Sequence, residues 1–245
     1  MTRSDGRKAG ELRKVSLQRG FTEAAAGSVL YKAGQTHVLC TASVEESVPE
    51  WRKELGLGWV TAEYEMLPAS TGQRRPRSRA GKIDGRVQEI QRLIGRSLRA
   101  IVDMAKLGPR TIWVDCDVIQ ADGGTRTASI TGGYIALADA VAGLMREGLV
   151  TENPLIDSVS AVSVGLVGRQ VLLDLNYVED KDAVVDFNVV LTGRGSFVEV
   201  QGAAEAGTFT RPQMNKIISL ATSGAKQLRE IQRKALTSKR GGRRK

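Results

Sequence analysis

Hydrophobic positions along this chain switch between a period of two and a spacing of three and four, and the switches predict strands alternating with helices. Residues 28–44 hold two β-branched runs on either side of Ala33-Gly34-Gln35, which predicts a hairpin. Trp59–Met66 predicts a further strand. Ile83, Val87, Ile90, Ile94, Leu98, Ile101 and Val102 then return at helical spacing and mark one buried face, with Arg92, Arg96 and Arg99 mostly off it. Thr111–Gln120 alternates again, with Ile112, Val114, Cys116 and Val118 on one face. Past the Gly123-Gly124 turn, Ile130, Tyr134, Leu137, Val141 and Leu144 form the stripe of a second helix.

The second half restarts with a hairpin, Val162–Leu166 and Val171–Val178 about Gly168-Arg169. Gly34-Gln35-Thr36-His37-Val38-Leu39 matches Gly168-Arg169-Gln170-Val171-Leu172-Leu173 in pattern, a weak internal repeat. In the strand Val184–Thr192, Asp186 and Asn188 lie on one face, opposite Val185, Phe187, Val189 and Leu191. Phe197–Gln201 is a short strand. Thr210 caps a long helix that tolerates Pro212 in its first turn. The pattern predicts an α+β protein of two similar βα halves with helices packed on sheets. Residues 1–236 read as one domain of two similar halves and 237–245 as a basic, disordered tail.

Charge narrows the partner. The chain of 245 residues carries a formal net charge of +9. Nine basic residues lie between Arg74 and Arg99 against two acidic ones, Asp84 and Glu89. The last thirteen residues hold seven basic side chains and no acid. Such a surplus favours a polyanion, nucleic acid before membrane. Aromatic residues make up only 4%, too few for base-stacking platforms, so the grip should fall on phosphates. Cys40 and Cys116 sit in apolar strands and read as buried thiols. No apolar run approaches a membrane span and the N-terminus lacks a secretory pattern, so a reducing cytoplasm is expected. A single histidine, His37, excludes multi-histidine zinc sites and two-histidine relays, and is expected to be packed or satisfied rather than catalytic.

The candidate chemistry is anionic. Gly123-Gly124-Thr125-Arg126 joins a strand to a helix, where free N–H groups, a hydroxyl and a guanidinium can meet one oxyanion. The plainer alternative is a glycine turn with a threonine cap. Arg86, near the start of the preceding helix, can reach the same anion. Glu179-Asp180-Lys181-Asp182 reads as an acidic turn ahead of the strand with Asp186, and clustered carboxylates imply Mg²⁺ or an arginine. In-line displacement at phosphorus fits this set.

The sequence resembles the bacterial ribonuclease PH family, phosphate-dependent exoribonucleases that trim tRNA 3′ ends. The resemblance runs from Arg3-Ser4-Asp5-Gly6-Arg7 to about Leu236. It rests on Gly34-Gln35-Thr36, Gly85-Arg86, Glu89–Arg96, Asp122–Ile130, Asn176–Asp180, Asp186–Val190 and Val198–Gly202. It implies that Arg86, Gly124, Thr125 and Arg126 bind inorganic phosphate. Arg126, Asp180 and Asp186 would be catalytic, with Asp180 and Asp186 linked to a divalent metal, Mg²⁺ in our reading. Arg74, Arg75, Arg77, Arg79, Arg92 and Arg96 would guide RNA. It also implies a duplicated fold of the ribosomal protein S5 domain 2-like type and a homo-oligomer, a hexameric ring built as a trimer of dimers. Ala203-Ala204-Glu205 departs from a more usual threonine-bearing version.

The expected activity is therefore phosphorolytic 3′→5′ exonuclease action on RNA, with no membrane partner. A catalytically silent RNA-binding subunit of an exosome-like ring is the alternative, disfavoured by the presence of Arg126, Asp180 and Asp186. A hydrolytic nuclease is the second rival.

Overall fold

The structure, a computed structural model, describes residues 3–77 and 84–238. Arg79, Ile83 and residues 239–245 of the basic tail lie outside them. The first half runs β1 (Val15–Arg19), β2 (Gly27–Ala33), β3 (Thr36–Glu45), α1 (Glu50–Lys53), β4 (Trp59–Met66), α2 (Gly85–Arg99), α3 (Met104–Leu107), β5 (Thr111–Gln120) and α4 (Thr125–Arg146). The second runs β6 (Val159–Val167), β7 (Gln170–Leu173), α5 (Tyr177–Lys181), β8 (Ala183–Thr192), β9 (Phe197–Ala204) and α6 (Arg211–Thr237).

The first sheet has the order β1-β2-β3-β5-β4 and the second β7-β6-β8-β9. The pairs are antiparallel except β4 with β5. A parallel pair needs a crossover, and α2 supplies it. The expected face of α2 is buried at Val87, Ile90, Ile94 and Leu98, with Leu93 added; Ile101 and Val102 are buried just beyond its end. The two repeated hairpins turn through left-handed glycines, Gly34 at φ 55° and Gly168 at φ 58°.

The layers stack as sheet, helices, sheet, helix. One core unites the inner face of the first sheet with α2, α4 and the facing Val159, Ala161 and Val190. A second joins Val164, Val185, Phe187 and Val189 to Ile217, Ala221 and Leu228 of α6. This corrects the single stripe expected for α4: sixteen of its residues are buried, because a helix between two sheets needs two apolar faces. By length and composition α4 could span a membrane, contrary to the sequence expectation, but here its apolar stretch is buried in the protein.

The close fit of α4 on the first sheet depends on Gly27. A Cβ there would stand 2.0 Å from the Ala136 carbonyl oxygen, so no side chain fits without moving backbone. Gly27→Ala is expected to destabilise the fold by about 1–3 kcal/mol, as overpacking does, and to lower the urea midpoint accordingly. An unchanged midpoint would show that α4 can shift freely.

The expected strand Val171–Val178 is too long. β7 stops at Leu173, Asp174 takes φ 54°, and Asn176 opens α5 with a capping box to Glu179. Short polar side chains that bond nearby backbone break the ladder where the apolar run suggested it would continue. The acidic turn is thus mostly a helix. α6 matches expectation at its start, where Thr210 and Gln213 form a capping box. Cys40 and Cys116 are buried free thiols, directly opposed across β3 and β5. His37 is half-buried, on the face of β3 opposite Val38 and Cys40 of the core.

Candidate active site

The site forms where three segments meet: the turn from β5 into α4, the start of α2, and the ends of α5 and β8 that carry Asp180 and Asp186. At the first, Gly123 and Gly124 take φ 73° and 64°. Only glycine fits, since a Cβ on Gly123 would lie 2.7 Å from the backbone of Leu175 and Asn176. Gly124, not a threonine, is the N-cap of α4, and no side chain caps it. A long buried helix therefore presents uncapped N–H groups and partial positive charge, a ready anion site. The Thr125 hydroxyl meets the Tyr64 hydroxyl at 2.9 Å.

Arg126 lies in the first turn of α4, half-buried, and donates to Gln201 Oε1 at 3.1 Å and to Glu89 Oε1 at 3.4 Å. Arg86 sits in the first turn of α2, exposed, after Asp84 has capped that helix by accepting from the Arg86 N–H. Both guanidinium charges act on Asp180. Arg86 and Arg126 thus come within electrostatic range of the same carboxylate, and Gly124 and Thr125 adjoin Arg126 at the start of α4.

The acidic residues divide. Glu179 turns inward and takes both arms of Arg3, Nε to Oε1 and Nη2 to Oε2 at 2.7 Å each, with both side chains buried. Asp182 is the exposed C-cap of α5. Of this turn, Asp180 is the carboxylate whose charge acts on Asp186, joined from the end of β9 by Glu205. Burial is the main cause that raises the Asp180 pKa; Arg86 and Arg126 oppose it and Glu205 adds to it. Burial likewise pushes Asp186 up to about 6, reinforced by the Asp180 charge and opposed by Arg126 and by the Asn188 side chain. Asp186 Oδ1 is buried without a hydrogen-bond partner, an arrangement that costs free energy until a cation or proton arrives. No group of three or more His, Cys, Asp or Glu suited to a metal occurs among the described residues, so a hard cation here would take two carboxylates and find its other ligands in water or phosphate.

The RNA-guiding arginines are placed less uniformly. Arg74, Arg75 and Arg77 are exposed in the loop after β4, and Arg75 lies 4.0 Å from Asp84. Arg92 is exposed on α2. Arg96 is engaged by Glu199 of β9, Nε to Oε2 at 2.7 Å, and so ties the two halves together. Residues that pattern reading missed include Arg13, Thr36, Glu89, Asp174 and Gln201. Each meets the site from a distant part of the chain, and only the resemblance at Gly34-Gln35-Thr36, Glu89–Arg96 and Val198–Gly202 touched any of them.

Models of the 3′ exoribonuclease family match residues 11–142 as domain 1 and residues 157–224 as domain 2. Ribonuclease PH of Corynebacterium efficiens is 56% identical over 236 residues, covering 96% of each chain. Ribonuclease PH of a Synechococcus strain is 55% identical over 241 residues, covering 97% of this chain and 98% of its own. Among solved structures, an Archaeoglobus fulgidus exosome with RNA bound to its active site superposes with a TM-score of 0.80 at 24% identity, covering 93% of this chain and 91% of that one. An archaeal exosome core gives 0.76 at 22%, covering 94% and 91%. The chain belongs to the ribonuclease PH family and is a phosphorolytic 3′→5′ exoribonuclease.

Proposed function

We propose that orthophosphate binds between the N-terminus of α4 and the Arg86 and Arg126 guanidinium groups, and attacks the last phosphodiester of RNA beside Asp180 and Asp186. The observation that carries this is the uncapped α4 N-terminus, with two arginines, set against a carboxylate pair that has a buried unpartnered oxygen. The Gly123, Gly124 and Thr125 N–H groups and the Thr125 hydroxyl hold the attacking anion. Arg126 moves from its long contacts with Glu89 and Gln201 to a two-pronged grip on phosphate. A phosphate oxygen forms the new bond to phosphorus, the bond to the penultimate 3′ oxygen breaks, and the proton of hydrogen phosphate ends on that oxygen. The products are a nucleoside diphosphate and an RNA one residue shorter. Because phosphate itself is the nucleophile, no histidine base is required.

Asp180 and Asp186 are the residues that would hold Mg²⁺. Bound there, the ion would neutralise charge developing on the leaving oxygen. Until such an ion binds, burial lets the Asp186 carboxyl keep its proton more readily than an ordinary aspartate does. Arg74, Arg75, Arg77 and Arg92 supply an exposed basic approach for the strand, and tRNA 3′ ends are its natural substrates. The working form is a homo-hexameric ring, a trimer of dimers, in the cytoplasm, a setting that suits two unbridged thiols. A silent exosome-like subunit is not favoured, since the arginines and carboxylates converge.

The deciding experiment is chromatography of the nucleotides released from a tRNA precursor. Diphosphates should form only when phosphate is added. Monophosphates formed without phosphate would overturn the mechanism, and no release at all would favour the silent subunit.

A further inference from the structure

We propose that Arg13, anchored by Asp174, is a positioning residue that turns the Gly123 and Gly124 N–H groups toward the attacking phosphate. The proposal rests on the phosphate site described above. Arg13 is buried at 6% exposure and lies 161 residues from Asp174 in sequence. Asp174 Oδ2 accepts the Arg13 backbone N–H at 2.7 Å and Nε at 3.1 Å, and Oδ1 accepts Nη2 at 2.7 Å. The other edge of the same guanidinium donates to the carbonyls of Asp122 and Gly123 and to the Thr36 hydroxyl. Thr36 in turn donates to the Gly123 carbonyl at 2.7 Å and accepts from the Asp122 N–H.

Two features separate this from ordinary core packing. Asp174 is the only non-glycine among the described residues with positive φ, at 54°, a conformation disfavoured for a side chain and retained where it sets a contact. Peptide planarity supplies the second. In a trans peptide the carbonyl and the following N–H point in opposite directions. Drawing the Asp122 and Gly123 carbonyls back onto Arg13 therefore turns the Gly123 and Gly124 N–H groups away from it, and neither has an acceptor among the described residues. Asp174 also begins the segment that leads through Asn176 into α5 and Asp180, so one guanidinium relates the anion cradle to the carboxylate pair. The Tyr177 N–H, bonded to Asp122 Oδ1 at 3.0 Å, braces the same junction.

The test compares Arg13→Lys, Asp174→Asn and Thr36→Val in the intact protein. Asparagine tolerates positive φ, and valine keeps the shape of threonine without its hydroxyl. Half-saturation by phosphate should rise roughly tenfold or more in Arg13→Lys and Asp174→Asn and severalfold in Thr36→Val, an oriented-donor effect. Half-saturation by RNA should change less than about twofold. Arg13→Lys combined with Asp174→Asn should be no worse than the poorer single variant. Calorimetric titration with inorganic phosphate, without RNA, should show the same order of weakening. If Arg126→Ala weakens phosphate binding while Arg13→Lys and Thr36→Val leave it intact, the positioning role fails and the phosphate site stands. If Arg126→Ala has no effect, the site reading itself fails. Should Arg13→Lys or Asp174→Asn not fold, an unchanged phosphate half-saturation in Thr36→Val is enough to overturn the proposal.

Discussion

Arg126→Ala is expected to lower turnover by about 10²–10³-fold while RNA binding survives. That is the loss seen when one oriented donor to a transition-state oxyanion is removed, about 2.7–4 kcal/mol. The residue is well placed for such an effect. It stands in the first turn of a 22-residue helix whose N-terminus has no side-chain cap, so its charge adds to the backbone donors at one point. Its present partners, Gln201 at 3.1 Å and Glu89 at 3.4 Å, are weak enough to yield to a doubly charged phosphate. RNA affinity should hold because, in the proposed arrangement, the exposed Arg74, Arg75, Arg77 and Arg92 grip the strand independently of Arg126. The measurement is single-turnover phosphorolysis with RNA affinity by filter binding. Turnover within threefold of the unaltered protein would mean that the α4 terminus is only structural.

Asp186→Asn should show opposite effects on activity and stability. Activity should fall by about a hundredfold or more, since the carboxylate pair loses a member. Stability at neutral pH should rise. The folded-state pKa of Asp186, about 6, lies above the ordinary aspartate value, so the folded protein holds this proton more tightly than the unfolded chain does. Between about pH 4 and pH 6 the folded state binds more protons, and the contribution of this group to stability falls as pH rises through that window. Above it the full penalty remains, of the order of 2–3 kcal/mol as an upper figure. Asparagine has no charge to bury. Urea midpoints should therefore favour the variant at pH 7.5 and converge below about pH 4. Mg²⁺ should raise the midpoint of the unaltered protein alone, because a ligand that binds only the folded form stabilises it. A variant no more stable at pH 7.5, or equally stabilised by Mg²⁺, would remove Asp186 from the proposed cation site.

Much of this site could be read from sequence because its parts are local. Gly123-Gly124-Thr125-Arg126 lies at a change of hydrophobic period, and such a change is where a strand hands over to a helix. Asp186 could be singled out because it stands with Asn188 opposite the strongly apolar face of its strand. Local pattern misled where competing contacts were distant. Val171–Val178 looks like one strand, yet Asp174 leaves the ladder to hold Arg13. Glu179 looks like a member of an acidic cluster, yet Arg3, 176 residues away, takes it into the core, and of that turn it is Asp180 whose charge acts on Asp186. The stripe on α4 was real but incomplete, because periodicity does not announce a second sheet on the far side.

The chain's own order of residues determined the succession of strands and helices, the basic balance, and the membership in a phosphorolytic nuclease family. Hydrophobic period, turn chemistry and short motifs act among near neighbours and are visible without a fold. Only the folded molecule decided which carboxylates share a site, which arginines stay free and which brace the frame. Those outcomes depend on burial and on hydrogen bonds between segments more than a hundred residues apart, and their strength comes from the water that folding excludes.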